Sequence, residues 1–263
     1  MISGVSTASL FLREYNEDAL TVLNGLGVKS TEIFLTTFSE YTEDFARLLL
    51  SRRGDLEVNS VHLLNTQFEP QLFGQHPRAK ADAFKILDGA MASAHIFGAK
   101  RYTFHAITRL KKNSAPSDYK KLGASFCEIA SACAEHGVKL CLENVHWALY
   151  NEPGIFKKIR AYCPQLLGVL DVKQARLSCY PYQMYIKDME GCISHVHLSD
   201  VNERGKICLP GTGVFDFEEC LRRLKDAGFD GAALIEVYAN DYGDYRELRR
   251  ACDYIDEIIY KIG

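Results

Sequence analysis

KLCLENV (139–145), LGVLDV (167–172), ISHVHLSD (193–200) and AALIEVY (232–238) decide how this chain is read. Each is a short run of apolar and β-branched residues. Each also carries, at or near its end, a side chain able to bind a metal or move a proton: Glu143, Asp171, His197 and Glu236. Ligand-type residues confined to the ends of apolar strands point to a buried parallel sheet with its site at the carboxyl ends.

Four runs of the same kind precede these: ISGVS (2–6), TEIFL (31–35), EVNSVHL (57–63) and RYTFHA (101–106). Amphipathic stretches between the runs predict helices over 16–28, 41–53, 77–97, 116–136, 152–162, 182–190, 216–227 and 244–260. Their punctuation is consistent with that reading. Ser39 and Thr42 precede the second, Pro116-Ser117-Asp118 opens the fourth, Glu152-Pro153 opens the fifth and Asp216 the seventh, while Gly98, Gly137 and Gly228 close helices. Eight strand–helix units in 263 residues predict an α/β protein, a (β/α)8 TIM barrel forming one domain over 1–263. A doubly wound open sheet competes, but it would place a glycine-rich fingerprint after the first strand, and Gly4 alone does not supply one.

With 47% hydrophobic and 25% charged residues the chain can bury a core, which excludes the disordered and fibrous classes. The net charge is −3 and no run of Lys or Arg exceeds two residues, so neither nucleic acid nor an anionic membrane is an expected partner. The start MISGVSTASLFLREYNED lacks a signal-peptide pattern, and no stretch approaches the roughly 18 apolar residues of a membrane span. Nine cysteines without a CxxC pair read as reduced thiols, and a cytoplasmic location is expected. The composition is compatible with a homo-oligomer and does not specify one.

Alternation along the strands puts Cys141 with Glu143, Val169 with Asp171, His195 with His197 and Leu234 with Glu236 on one face. If that face is the barrel interior, three carboxylates and an imidazole converge. Carboxylates held that close need compensating charge. One divalent cation supplies it, and oxygen ligands with one imidazole suit Mn²⁺, Mg²⁺, Co²⁺ or Zn²⁺. His195 reads as an interior packing or supporting residue. His62 and His105 end the third and fourth strands on the same rim, either to contact substrate oxygens or to join Glu143 in a second metal site. His146 and Trp147 follow Glu143 in a loop over the mouth, where the single tryptophan can stack on a sugar face.

CLENVHW (141–147), LGVLDVKQA (167–175), HVHLSD (195–200), LPGTGVFDF (209–217) and IEVY (235–238), in this order and spacing, resemble the xylose-isomerase-like barrel superfamily. That group includes sugar-phosphate isomerases and epimerases, ketose 3-epimerases, inosose dehydratases and endonuclease IV-type DNA repair enzymes. The resemblance implies that Glu143, Asp171, His197 and Glu236 hold one metal. It also implies that Glu143 and Glu236 move protons on opposite faces of the substrate. Two departures stand out. Gln174 occupies the place of a histidine that contacts substrate in many members, and Cys208 lies near the place of an endonuclease metal ligand. Both argue against a three-metal site for DNA.

The expected activity is therefore a metal-dependent isomerase or epimerase on a sugar or sugar phosphate. His62, His105, His146, Trp147 and Gln174 would contact substrate, and Arg204, from the loop after the seventh strand, would meet an anionic group. The alternatives are an endonuclease IV-like phosphodiesterase on abasic DNA, a dehydratase or lyase on a cyclic polyol, and a non-catalytic sugar-binding barrel.

Overall fold

The computed structural model describes residues 1–64, 68–109 and 118–263. Eight strands form a closed parallel barrel: β1 (Ile2–Ser6), β2 (Ser30–Leu35), β3 (Glu57–Leu63), β4 (Arg101–Phe104), β5 (Lys139–Glu143), β6 (Leu167–Asp171), β7 (Ile193–Leu198) and β8 (Ala232–Ile235). Each strand pairs with its sequence neighbours, and β1 closes the ring against β8, with Val5 opposite Ile235. This is the (β/α)8 barrel expected from the alternation.

The described helices are α1 (Asn16–Gly25), α2 (Glu43–Arg52), α3 (Pro77–Phe97), α4 (Tyr119–Glu135), α5 (Ile155–Arg160), α6 (Val172–Leu177), α7 (Tyr182–Asp188), α8 (Phe217–Asp226) and α9 (Arg246–Ile262). Thr42, Asp118 and Asp216 cap α2, α4 and α8 through their side chains, and Gly98 ends α3 at φ 92°. Pro116 and Ser117 lie outside the described residues. Two details depart from expectation. Strand β6 stops at Asp171 and α6 starts at once, an extra helix that the apolar run LGVLDV hides. Helix α5 starts after Gly154, not at Glu152-Pro153, because its cap is borrowed: the Asp188 carboxylate accepts from the backbone of Gly154 at 2.8 Å and Phe156 at 3.3 Å.

The layer between strands and helices is apolar, as burial on both faces requires, with Phe97, Tyr102, Phe104 and Phe126 fully buried. The lumen is different. At its lower end Gly4 makes room for a neighbour, since a Cβ there would lie 2.7 Å from Leu234 Cδ2 and 2.2 Å from the Ser30 carbonyl oxygen. Above this level the lumen carries Glu32, Ser60, Thr103 and His195, all with no solvent exposure. Small barrels are ordinarily filled by branched apolar side chains, so this polar lumen marks the side that supports a site. Among the described residues no helix is long and apolar enough to cross a membrane.

Candidate active site

Register sets the site. Asp171 lies opposite His197 across β6 and β7, and His197 lies opposite Leu234 across β7 and β8, one alternation below Glu236. Asn144 ties β5 to β6 where the ladder ends: its amide donates to the Asp171 carbonyl at 2.9 Å and its side-chain oxygen accepts from the Asp171 backbone at 2.8 Å. The Glu236 backbone donates to the Leu198 carbonyl at 2.9 Å, which carries the β7–β8 pairing past the last residue of β8.

Glu143, Asp171, His197 and Glu236 thereby meet at the carboxyl end of the barrel, each offering one ligand atom within 4.8 Å of the others. All four are buried. His197 Nδ1 is 2.9 Å from Glu143 Oε1 and 3.3 Å from Glu236 Oε2. Asp171 divides its carboxylate: Oδ1 accepts from the Gln174 backbone at 2.8 Å and caps α6, while Oδ2 is buried without a hydrogen-bond partner. Glu236 Oε2 is likewise buried without a hydrogen bond, its neighbour being His197 Nδ1. Buried carboxylate oxygens without hydrogen bonds are costly. Two of them converging on an imidazole nitrogen fit a hard or borderline divalent cation in chemistry and in spacing.

Two residues in this cluster carry no mark in the sequence reading. Glu32, from the middle of β2, sits beneath the four. It accepts from Ser60 Oγ at 2.7 Å and Ser6 Oγ at 3.2 Å, and it lies 3.1 Å from His197 Nε2 and 3.3 Å from His195 Nε2. Lys173, on the first turn of α6, places its buried ammonium 3.4 Å from Glu236 Oε1 and 3.7 Å from Asp171 Oδ2, and 4.9 Å from the centre of the Tyr238 ring. The cluster therefore holds four carboxylates and one lysine.

The electrostatics follow from that packing. Burial alone would lower His197, but Glu236, Glu32 and Glu143 outweigh it and hold the imidazole well above its ordinary range. His62 behaves alike and rises to about 9. Burial, opposed by Lys173, pushes Asp171 up to about 6. Burial works against Lys173 too, yet Asp171 and Glu236 keep it firmly protonated. His195, with less carboxylate around it, is lowered by burial.

A cavity of about 260 Å³ opens above the cluster, and His62, His105, Trp147, Lys173 and Glu236 are among its walls. His105 Nε2 lies 2.7 Å from Glu143 Oε2 and 3.0 Å from His62 Nε2, so His62, His105 and Glu143 form a second group of ligand type. Buried Glu69 accepts from the backbones of His105 and Ala106 at 3.1 Å each and fixes the end of β4. Trp147 stands edge-on to His105, ring centres 5.1 Å apart. His146 and Gln174 are placed otherwise: they bond each other on the rim, Nδ1 to Oε1 at 2.6 Å, and do not line this cavity. Arg204 lies in the turn between two short antiparallel strands, Asp200–Val201 and Ile207–Cys208, exposed and away from the cavity. The loop position that suggested an anion contact does not bring it there. Cys208 sits in that ribbon, outside every ligand-type group found among the described residues. Asp200 organises the adjoining loop by accepting from the backbones of Val201, Gly211, Gly213 and Phe215 at 2.7–3.1 Å.

A family model described as xylose isomerase-like TIM barrel matches residues 20–258. The chain belongs to that family. Among curated relatives, this xylose isomerase-like barrel is 35% identical over 83 residues to L-ribulose-5-phosphate 3-epimerase UlaE of Shigella flexneri serotype 5b. That match spans 31% of this chain and only 29% of the relative. Among solved structures it is similar to D-psicose 3-epimerase of Clostridium cellulolyticum H10, solved with D-tagatose: TM-score 0.81, 16% identity, 98% of this chain and 99% of that one. It is also similar to IOLI protein, solved with zinc: TM-score 0.73, 16% identity, 100% of this chain and 98% of that one. At such identities the structural likeness speaks for the fold. Of these relatives, UlaE and the D-psicose enzyme are sugar 3-epimerases.

Proposed function

We propose that the protein is a metal-dependent epimerase or isomerase that moves a proton next to the carbonyl of a sugar or sugar phosphate. The observation that carries this reading is the pair Glu143 and Glu236. They come from strands three apart around the ring and share His197 as neighbour; Glu236 lines a small cavity with aromatic walls, and Glu143 lies 2.7 Å from His105, another of its walls. In the reading, one carboxylate accepts the proton from the carbon beside the carbonyl, leaving an enediolate. The other, as a carboxylic acid, delivers a proton to the opposite face. One proton leaves, one arrives, and the stereocentre inverts.

Glu143, Asp171, His197 and Glu236 would hold one divalent cation, which when bound polarises the substrate carbonyl and spreads the developing negative charge. Lys173 adds fixed positive charge beside Asp171 and Glu236. His62 and His105 would hydrogen-bond substrate hydroxyls, and Trp147 would close the apolar side of the ring. His146 and Gln174 would act from the rim, and Arg204 from the exposed turn of the short ribbon. A small sugar as partner and a cytoplasmic location belong to the same reading.

The test is incubation with ketoses and ketose phosphates in deuterated water. Deuterium should enter the carbon beside the carbonyl, and Glu143→Gln and Glu236→Gln should each suppress it, with metal content measured in parallel. The His62–His105–Glu143 group favours one second reading, phosphodiester cleavage of abasic DNA with a further cation. Cleavage of an abasic duplex without any exchange would move the assignment there.

A further inference from the structure

A larger cavity of about 570 Å³ adjoins the inner one and shares two walls with it, Phe11 and Phe34. The two volumes together suit a ligand larger than a single sugar ring. Aromatic rings run without a break from the outer cavity to the inner. Phe11 stands 5.7 Å from Phe34, Phe34 is 4.9 Å from His62, His62 is 4.6 Å from His105 and His105 is 5.1 Å from Trp147. At the outer end Phe11 is 40% and Tyr15 78% exposed, so ring faces are open to an occupant.

The outer cavity has a definite charge. Among the described residues Glu14, Asp18 and Glu40 line it, against a single cation, Arg13. Arg13 is held in place, its guanidinium donating to the carbonyls of Tyr242 and Gly243 and stacking 4.1 Å from the centre of the Tyr242 ring, and its one charge leaves the three carboxylates in excess. Asn16 and Glu40 brace the wall, the Asn16 amide donating to the Phe34 carbonyl at 2.8 Å and to Glu40 Oε1 at 3.1 Å. Glu40 already accepts from Asn16, Thr36 and Thr37, and Glu14 from the Tyr245 hydroxyl, yet the three carboxylates keep the wall negative. A carboxylate accepts a sugar hydroxyl, and an open aromatic face stacks on a sugar ring. The carboxylates repel a phosphate.

We infer that the outer cavity is a subsite for a second, uncharged ring, and that the substrate is a glycosyl ketose in preference to a ketose phosphate. This rests on the proton-transfer reading above and specifies its substrate class.

Calorimetric binding in the presence of Mn²⁺ would compare D-fructose, D-fructose 6-phosphate and isomaltulose, a fructose bearing a neutral glucosyl ring on O6. Isomaltulose should bind roughly tenfold more tightly than fructose, the gain expected of one stacked ring. Tyr15→Ala should remove that gain, Tyr15→Phe should restore it, and Asp18→Lys should shift the preference toward the phosphate. Tighter binding of fructose 6-phosphate by the parent protein overturns the inference. So does an isomaltulose-to-fructose ratio that Tyr15→Ala leaves unmoved, or no binding of any of the three. Deuterium exchange separates the two readings. The expected binding order without exchange keeps the subsite and removes the epimerase; exchange on fructose with no preference for isomaltulose does the reverse.

Discussion

Glu32 Oε1 lies 3.1 Å from His197 Nε2, on the side of the imidazole away from Glu143 and Glu236. The ring is thereby held with one nitrogen toward a carboxylate below and the other, Nδ1, toward the proposed metal ligands. A carboxylate behind a ligating histidine fixes its tautomer and raises its basicity. Glu32→Gln keeps the shape and removes the charge. Its cost in metal affinity should be about 10–100-fold. Metal titration followed by elemental analysis checks this, and an unchanged affinity would show that Glu32 serves packing alone.

Asp171 separates binding from folding. Asp171→Ala should abolish tight metal binding and also remove the α6 cap, at a cost of about 1 kcal/mol. Asp171→Asn keeps an oxygen to accept from the Gln174 backbone, so it should lose the metal with a smaller fall in Tm. Thermal melts of both variants, with and without added cation, decide the point. Unfolding of both would mean that the core depends on this residue.

The same carboxyl group predicts a pH dependence. Its folded value, about 6, stands above the ordinary 3.8, so the folded protein binds this proton more tightly than the unfolded chain does. That contribution favours folding at low pH and is lost as pH rises from about 4 through 6. A cation must displace the proton. The stabilisation by added Mn²⁺, about 2.7 kcal/mol at a hundredfold excess over Kd, should therefore shrink as pH falls through about 6, and the raised His197, which must also lose a proton to bind a cation, extends that decline to higher pH. A gain constant from pH 5 to 8 would contradict it.

Thiols report burial. Cys179 is exposed, whereas burial pushes Cys141 up to about 11 and Cys252 to about 12, and raises Cys133 and Cys220 further. Since the thiolate is the reactive form, alkylation at about pH 8 should mark Cys179 first and spare those four until the protein is unfolded, as read by mass spectrometry. Because these protons are held more tightly in the folded state, their contribution is intact below about pH 9 and declines above it. Stability should fall in that alkaline window.

Asp200 accepts from four backbone N–H groups in one loop. Asp200→Ala strands those donors and should cost about 3 kcal/mol or more, visible as a Tm fall of roughly 10 °C. A shift within a degree would mean that water replaces the carboxylate.

The barrel was legible because its strands are buried on both faces, leaving apolar runs that end where the lumen turns polar. Glu143, Asp171, His197 and Glu236 were legible for the same reason, each being a ligand-type residue at or next to a strand's end. Glu32 was not, although the alternation in STEIFL puts it with Phe34 on the lumen face: a lone acid inside a strand names none of its partners, which come from β1, β3, β4 and β7. Lys173 was hidden by the missed start of α6, and Glu69 by a loop without periodicity. Arg204 was placed by loop membership, which fixes a segment but not the direction of a long side chain.

Asp171 has one oxygen in the helix cap and the other in the ligand cluster. Residues 173 and 174 are therefore presented at a constant offset from the place a cation would take, whatever side chains they carry. Lys173 is turned onto two of the acids, Asp171 and Glu236, and Gln174 onto His146 at the rim. One helical turn thus links the acid cluster to the rim of the barrel through two consecutive side chains.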